Sequence, residues 1–207
     1  MYNAFIKSLE APMKKKEEER KKQIMKAAFN AVSSLGYDNV TLQDIANHAN
    51  VSKGVVHYYF TSKQNILLEL LESITNKIYS YEIKEIAKFQ TAIEKLQAYV
   101  NAVFVSPQEN KKFYRVYLDF LAQANGNEEY KKINLKFYEN CWGIGREIIE
   151  LGKTEGVFNQ DIDSLTNAKM IRAIIDGSLI QWLTCDLEEQ HKFYKDTCFH
   201  SLLKLLK

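Results

Sequence analysis

The sequence predicts an all-α protein of about nine helices. The 207 residues include only two prolines and eight glycines, so few positions interrupt a helix. Apolar residues recur three or four positions apart over long stretches, and no stretch shows the regular apolar and polar alternation of a half-buried strand. Hydrophobic residues make up 46% of the chain, which suits one mid-sized domain or a small domain joined to a larger one.

The first helix is predicted from an apolar row at helical spacing, formed by Ile24, Ala28, Ala31 and Leu35. Gly36 follows this row and is expected to end the helix, because glycine readily adopts the left-handed conformation that closes many helices. The chain should then turn back, so that Tyr37 and Val40 pack against the helix.

Residues 41–63 read TLQDIANHANVSKGVVHYYFTSK and predict two short helices joined by a tight turn, followed by the start of a third helix. Thr41 is a good N-cap, and Asp44 three residues later supplies an acidic capping box. Asn50 tolerates the left-handed conformation that the turn needs, and Ser52 caps the second helix. This is the layout of a helix-turn-helix, whose second helix lies in the major groove of DNA.

The later helices are predicted in the same way. Ser62 caps a long fourth helix with six apolar residues on one side, namely Ile66, Leu67, Leu70, Leu71, Ile74 and Ile78. Five further helices are predicted at about residues 91–105, 111–124, 128–153, 165–185 and 188–206. We expect two domains: a three-helix helix-turn-helix domain at residues 1–65 and a larger helical domain at residues 66–207.

The motif resembles the N-terminal domain of the TetR family of transcriptional regulators. In that family IA in the first short helix is followed by AGVSKGTLYYHF and then by SK. The corresponding residues here are Ile45-Ala46, Ala49–Gly54, Val55–Phe60 and Ser62-Lys63. Three positions depart from the family: Asn50 replaces the turn glycine, Val55 replaces a threonine and His57 replaces another aromatic residue. The last two lie on the recognition helix, so the operator sequence of a relative does not transfer to this chain.

DNA contacts are expected on one face of the motif. Lys53 suits the O6 and N7 acceptors of guanine, and Gly54 allows close approach of the backbone. The resemblance implies sugar-phosphate contacts for several hydroxyl and amine groups, although core packing is the alternative for Tyr59 and a solvated cap the alternative for Lys63. The predicted DNA-binding residues are Thr41, Ser52, Lys53, Gly54, Val55, His57, Tyr58, Tyr59 and Lys63.

The C-terminal part also carries a resemblance. The segments GKTEGVFNQDID at 152–163 and IIDGSLIQWL at 174–183 are similar to the C-terminal domain of the BetI-like branch. In the family the last two helices pair with those of a second copy, and the helices before them enclose an inducer pocket. The resemblance therefore implies that residues 66–207 bind an effector and dimerise.

Homodimerisation is also favoured by the last two helices themselves, which are apolar over more than one stripe. A two-fold dimer presents two recognition helices to a pseudo-palindromic operator, whereas one helix-turn-helix gives little affinity. The residues predicted for the dimer interface are Ile171, Ile175, Leu179, Trp182, Tyr194, Phe199 and Leu202.

An effector pocket is expected among the middle helices, at Tyr99, Phe104, Tyr117, Phe120, Phe137, Cys141, Trp142 and Ile174. The BetI-like branch includes a choline-responsive repressor, and aromatic rings could surround a quaternary ammonium. Ordinary core packing accounts for the same rings, so we expect an apolar or amphipathic effector rather than a cationic one. Asp119 and Asp176 are candidate acceptors for the effector if they face inward.

Charge and cysteine content narrow the class of protein. Residues 1–65 carry ten Lys and Arg against six Asp and Glu, whereas residues 66–207 carry eighteen Lys and Arg against twenty Asp and Glu. The excess of positive charge in residues 1–65 suits contact with phosphate groups. The three cysteines contain no CxxC pair and predict neither a disulfide framework nor a zinc site. No apolar run has the length of a signal peptide or a membrane span. We expect a cytoplasmic protein that uses no metal or cofactor.

The expected function is that of a ligand-responsive transcriptional regulator, most simply a repressor that an effector releases from its operator. The effector would favour a conformation in which the fourth helix changes the separation of the two recognition helices. A co-repressor would act in the opposite direction. An enzyme is not expected, because the four histidines are scattered and no HExxH, nucleophile elbow or phosphate loop occurs. The alternative is a helical protein–protein interaction module that uses the helix-turn-helix without DNA.

Overall fold

The computed structural model describes the backbone of residues 2–185 and 187–207 and the side chains of residues 16–185 and 187–207. Within these ranges it contains nine α-helices and no strand, which confirms the all-α prediction. The helices are α1 (Tyr2–Leu35), α2 (Leu42–Ala49), α3 (Lys53–Tyr59), α4 (Lys63–Ile86), α5 (Ala92–Val103), α6 (Pro107–Gln123), α7 (Glu128–Thr154), α8 (Ser164–Cys185) and α9 (Gln190–Leu206).

The chain forms two compact units. The first consists of the chain through Ser73 together with Arg115–Gln123, and the second consists of Ile74–Tyr114 and Ala124–Lys207. Helices α4 and α6 are therefore each divided between the units. The first unit takes in the second half of α6, a segment that the sequence division at residue 65 placed in the second domain.

The first unit has its core between α1, α2, α3 and the start of α4. Gly36, with φ +79°, ends α1 as predicted, and its N–H donates to Val32 O at 2.8 Å. The core is formed by fully buried side chains from each of these helices and the segment that follows α3, including Ile24, Ala28, Ala31, Ile45, Ala46, Val56, Phe60, Ile66 and Leu67. This packing fixes the angle at which α3 crosses α2.

Helix α6 begins four residues before the predicted start at Lys111. Ser106 Oγ accepts a hydrogen bond from Glu109 N–H at 3.2 Å and donates to Glu109 Oε2 at 2.9 Å. Pro107 lies at the first helical position, where its missing N–H costs nothing and its φ already suits a helix. The sequence SPQE therefore marks the start of the helix, which lies about one turn before the predicted start.

The second unit is built around close packing of α7 and α8. A Cβ placed on Gly145 would lie 3.0 Å from Ala168 Cβ, so these two small residues let the helices approach closely. Trp182 is fully buried, and its indole N–H donates to Leu187 O at 2.9 Å. Around it the core contains Leu96, Tyr99, Phe137, Ile148, Ile171, Ile175 and Leu179.

Candidate nucleic-acid interface and ligand cavity

The turn between α2 and α3 has the geometry that the sequence predicts. Thr41 Oγ1 accepts from Asp44 N–H at 3.2 Å, and Asp44 Oδ2 accepts from Thr41 N–H at 2.9 Å, which completes the capping box. These hydrogen bonds from Thr41 lower the pKa of the Asp44 carboxyl. Asn50 adopts φ 53° and ψ 47°, and Val51 N–H reaches back to Ala46 O at 3.0 Å. The αL turn is thus formed without a glycine.

Helix α3 is anchored on one side and open on the other. Ser52 Oγ caps it by accepting from Val55 N–H at 3.3 Å, and Val56 is fully buried beneath it. The opposite face exposes Lys53, Gly54, His57 and Tyr58, and Tyr58 keeps 79% of its surface accessible. The helix therefore presents an ammonium, an imidazole and a phenol group to solvent.

The other predicted DNA contacts differ in exposure. Val55 and Tyr59 are half-buried, and the Tyr59 ring meets the Tyr58 ring edge-on at 5.0 Å between centroids. Thr41 is exposed beside the N-terminus of α2. Lys63 is half-buried, with Nζ donating to Asp38 O at 3.0 Å and lying 5.3 Å from the Tyr37 ring centroid. A lysine ammonium carries three N–H groups, so this bond does not exhaust it.

Sequence reasoning missed Arg20 as a member of this surface. Arg20 lies on α1 and lines a surface groove of about 430 Å³ whose other walls come from the turn and α3, at Asn50, Val51, Ser52, Val55, Tyr58 and Tyr59. Its Nη1 donates to Gln23 Oε1 at 2.8 Å, and Gln23 Nε2 donates to Ala49 O at 2.7 Å. No local motif marks Arg20, because only the packing of α1 on α2 brings it to the turn.

The second unit contains a cavity of about 370 Å³. Its walls are mainly apolar, with a few polar or charged groups, and it is lined by Lys77, Ile78, Tyr81, Ala102, Val103, Val105, Glu109, Asn110, Phe113, Tyr114 and Arg172. Two polar contacts fix the Asn110 amide in the cavity wall: its Nδ2 donates to Val103 O, and its Oδ1 lies 2.8 Å from His191 Nε2. A cavity of this size suits a small organic ligand.

None of the eight residues predicted for an effector pocket lines this cavity. Four of them, Tyr99, Phe104, Phe137 and Cys141, are buried in the core of the second unit, whereas Tyr117 and Phe120 are buried in the first unit. Trp142 and Ile174 are half-buried, and Lys169 Nζ lies 5.0 Å from the Trp142 ring centroid. Aromatic residues at helical spacing commonly fill core volume, which accounts for the burial of these rings. Their role in effector binding stays a prediction.

A buried ion cluster adjoins the cavity. Arg172 holds Asp176 through two contacts, Nε to Oδ2 at 3.1 Å and Nη2 to Oδ1 at 3.0 Å, and its Nη1 contacts Glu82 Oε1 at 3.3 Å. Its guanidinium also lies 5.0 Å from the Phe137 ring centroid. Because two carboxylates share one cation, the cluster has an excess negative charge when both are ionised. Burial raises the pKa of Glu82 to about 7, against the opposing effect of Arg172.

Glu82→Gln is expected to flatten the pH dependence of stability. The folded-state pKa of Glu82 lies above its usual 4.5, so its contribution is full below about pH 4.5 and is lost as the pH rises through about 7. The variant should match the parent chain near pH 4.5 and be more stable by about 3 kcal/mol at pH 8. Urea unfolding across this range measures the difference. Glu72→Gln, at an exposed position of the same helix, is the control, and parallel pH profiles for parent and Glu82→Gln would contradict the assignment.

The predicted dimer residues divide into two groups. Ile171, Ile175, Leu179, Trp182 and Leu202 are fully buried within a single chain and pack in its core, and an interface role for them stays a prediction. Tyr194 and Phe199 are half-buried. The apolar side chains that α8, α9 and their connection leave exposed are others, namely Leu165, Met170, Ile180, Leu187 and Phe193. When a helix is apolar on several sides, its sequence does not show which side packs against the rest of the same chain.

The described residues contain neither a metal-binding cluster nor a membrane-spanning helix. No three His, Cys, Asp or Glu side chains among them cluster closely enough to hold a metal ion. In the same part of the chain, no helix combines the length and apolar character that crossing a membrane requires.

Known proteins similar to this chain are transcriptional regulators. The HTH-type transcriptional regulator BetI of Agrobacterium fabrum is 32% identical over 114 residues, which cover 55% of each chain, so the match spans about half the length of that relative. The fatty acid metabolism regulator protein of Bacillus subtilis is 27% identical over 186 residues, covering 89% of this chain and 92% of that protein. A crystal structure of a transcriptional regulator from Saccharomonospora viridis in complex with choline has a TM-score of 0.80 at 26% identity, covering 87% of this chain and 94% of the other.

Two family matches account for most of the chain. Residues 24–70 match the bacterial regulatory proteins of the tetR family, and this range contains the capped helices and the αL turn described above. Residues 92–206 match the C-terminal domain of BetI-type transcriptional repressors. Together with the helical fold, these matches confirm the resemblance that the sequence motifs indicated. The chain belongs to the TetR family of transcriptional regulators, and its C-terminal domain is of the BetI type.

Proposed function

We propose that this protein is a cytoplasmic repressor that binds a pseudo-palindromic operator as a homodimer and is released by a small-molecule effector. The observation that carries the DNA-binding part is the exposed face of α3, where Lys53, Gly54, His57 and Tyr58 lie opposite the buried Val56. Amine, imidazole and hydroxyl donors beside a glycine suit contact with base edges and phosphates. Residues 1–65 carry this role, and residues 66–207 carry effector binding and dimerisation.

We add Arg20 and Asn50 to the nine predicted DNA contacts. Both line the groove beside Ser52 and Tyr58, and Arg20 supplies a guanidinium that suits bidentate contact with phosphate. Thr41, Tyr59 and Lys63 remain proposed sugar-phosphate contacts, because each carries a hydroxyl or ammonium donor that suits a phosphate oxygen. Val55 offers methyl groups that could meet a thymine methyl.

For the effector we propose an apolar or amphipathic molecule held in the cavity of the second unit. Ile78, Val103 and Phe113 supply apolar walls, whereas Asn110 and Arg172 supply a few polar groups, a division that suits an amphipathic ligand. Choline chloride and sodium laurate are suitable first probes, since one related regulator is known with choline and another is named for fatty acid metabolism. Effector binding would shift the population towards a conformation whose two recognition helices no longer fit one operator.

The dimer is proposed to form through α8 and α9. The exposed apolar side chains of this region, Met170, Ile180, Leu187 and Phe193, are suited to an interface with a second copy, with Tyr194 and Phe199 at its edge. Selection of bound fragments from random duplex DNA tests the arrangement, because a dimer should recover two half-sites about one helical turn or a multiple of it apart. A single unpaired half-site in the selected fragments would contradict the dimer.

Lys53→Ala is expected to weaken binding to the selected duplex by about tenfold to a hundredfold and to relax the base preference in each half-site. Lys63→Ala should instead weaken all sequences about equally and reduce the salt dependence. Fluorescence anisotropy at several salt concentrations measures both effects. Lys132→Ala, which removes an exposed lysine of the second unit, is the control for net charge. If the parent chain binds no duplex at low salt, the DNA-binding function fails and a protein–protein interaction module is the better description.

A further inference from the structure

Helix α6 takes part in both compact units of the chain. Its first half belongs to the second unit and lines the ligand cavity through Glu109, Asn110, Phe113 and Tyr114. Its second half, Arg115–Gln123, belongs to the first unit. One continuous helix therefore supplies residues to both units.

The second half of α6 holds the loop between α1 and α2. Asp119 Oδ2 accepts a hydrogen bond from the backbone N–H of Tyr37 at 3.0 Å. The Phe120 ring is fully buried and meets the Tyr37 ring edge-on, with 5.9 Å between centroids. The second half of α6 thus contacts this loop at both the backbone and the side chain of Tyr37.

The same loop is attached to the proposed DNA-binding surface. Lys63, the first residue of α4, donates to Asp38 O at 3.0 Å and lies 5.3 Å from the Tyr37 ring centroid. The loop then leads into Thr41, which caps α2. A displacement of Tyr37 would therefore move a proposed phosphate contact and the start of the helix-turn-helix together.

We propose that Asp119 is a positioning residue that couples the cavity to DNA binding through its hydrogen bond to Tyr37. This inference rests on the proposed function, and it assigns the coupling to one residue. Asp119→Ala removes the acceptor of the Tyr37 N–H, whereas Asp119→Asn keeps an oxygen acceptor at the same reach. The first variant should lose the coupling and the second should retain it.

The test is a double-mutant cycle on operator affinity, with the duplex recovered by selection from random DNA. Val105→Trp serves as a fixed substitute for an effector, because Val105 lines the cavity and is 48% exposed, so a larger side chain can enter without overpacking the core. We expect Val105→Trp to weaken duplex binding about tenfold in the parent chain and in Asp119→Asn, but less than about twofold in Asp119→Ala. Asp38→Ala is the matched control, since it removes a carboxylate from the same loop and keeps the Tyr37 acceptor.

Each outcome separates the two proposals. An equal effect of Val105→Trp with and without the Asp119 carboxylate would overturn the coupling role of Asp119 and leave the effector switch intact. An absence of any effect in the parent chain would overturn communication between cavity and DNA, and so both the switch and the role of Asp119. Thermal unfolding of Asp119→Ala and Asp119→Asn, followed by circular dichroism, verifies that the compared chains are folded.

Discussion

Arg172→Met is expected to lower the free energy of unfolding by about 3 to 5 kcal/mol at pH 8. The guanidinium is almost fully buried and contacts both the buried Glu82 and the half-buried Asp176, so its removal leaves two carboxylates without a cation. The loss should be smaller near pH 5, because Glu82 then accepts a proton and one negative charge disappears. Urea unfolding at the two pH values measures both effects.

Two further chains make this result specific to the cluster. Arg146→Met removes an exposed arginine from α7 and should change stability by less than about 0.5 kcal/mol. Arg172→Met combined with Glu82→Gln and Asp176→Asn removes all three charges and should recover much of the loss, because neutral groups of similar shape cost less to bury than unpaired ions. A loss below about 1 kcal/mol in Arg172→Met alone would mean that the carboxylates are not confined as the distances indicate.

Gly152→Ala is the second substitution for which a large loss of stability is expected, about 3 kcal/mol. A Cβ at this position would lie 2.0 Å from Phe158 Cδ2, and Phe158 is itself buried. The backbone holds the ring there, since Phe158 N–H donates to Gly152 O at 3.1 Å and Gly156 turns the chain with φ +70°. The ring cannot withdraw without breaking this turn, so the added methyl group strains the end of α7.

The same helix supplies the control. Gly143→Ala adds a methyl group where no atom lies within 4 Å, so it should raise the free energy of unfolding by about 0.5 to 1 kcal/mol through the better helix propensity of alanine. Combining Gly152→Ala with Phe158→Leu should recover part of the loss, because the smaller side chain leaves room for the Cβ. Equal unfolding midpoints for Gly143→Ala and Gly152→Ala would refute the close contact.

The helix-turn-helix was predictable because its determinants are local. Thr41 and Asp44 bond across three residues, Asn50 sets its own backbone conformation, and Ser52 caps the helix that follows it. These contacts depend on residue type and spacing alone. The start of α6 is equally local, since Ser106 and Glu109 form the same kind of cap with Pro107 at the first helical position, although the predicted start was Lys111.

The cavity lining and the exposed apolar residues of α8 were not predictable in the same way. The contact between Glu82 and Arg172 joins residues ninety positions apart, and no local pattern shows that these two helix faces meet. Similarly, Ile175 and Met170 are both apolar residues of α8, yet one is fully buried and the other is 45% exposed. Which stripe of an apolar helix faces its own chain depends on the tertiary packing of α7, α8 and α9.

The discontinuity of the first unit has a consequence for synthesis of the protein on the ribosome. Helices α1, α2 and α3 leave the exit tunnel before α6, and their caps form between near neighbours. The partners of Tyr37, however, are Asp119 and Phe120, which are made about eighty residues later. The unit that carries the recognition helix therefore reaches its final packing only after the cavity-lining half of α6 has also been translated, so a nascent chain stopped before this point should remain incompletely folded.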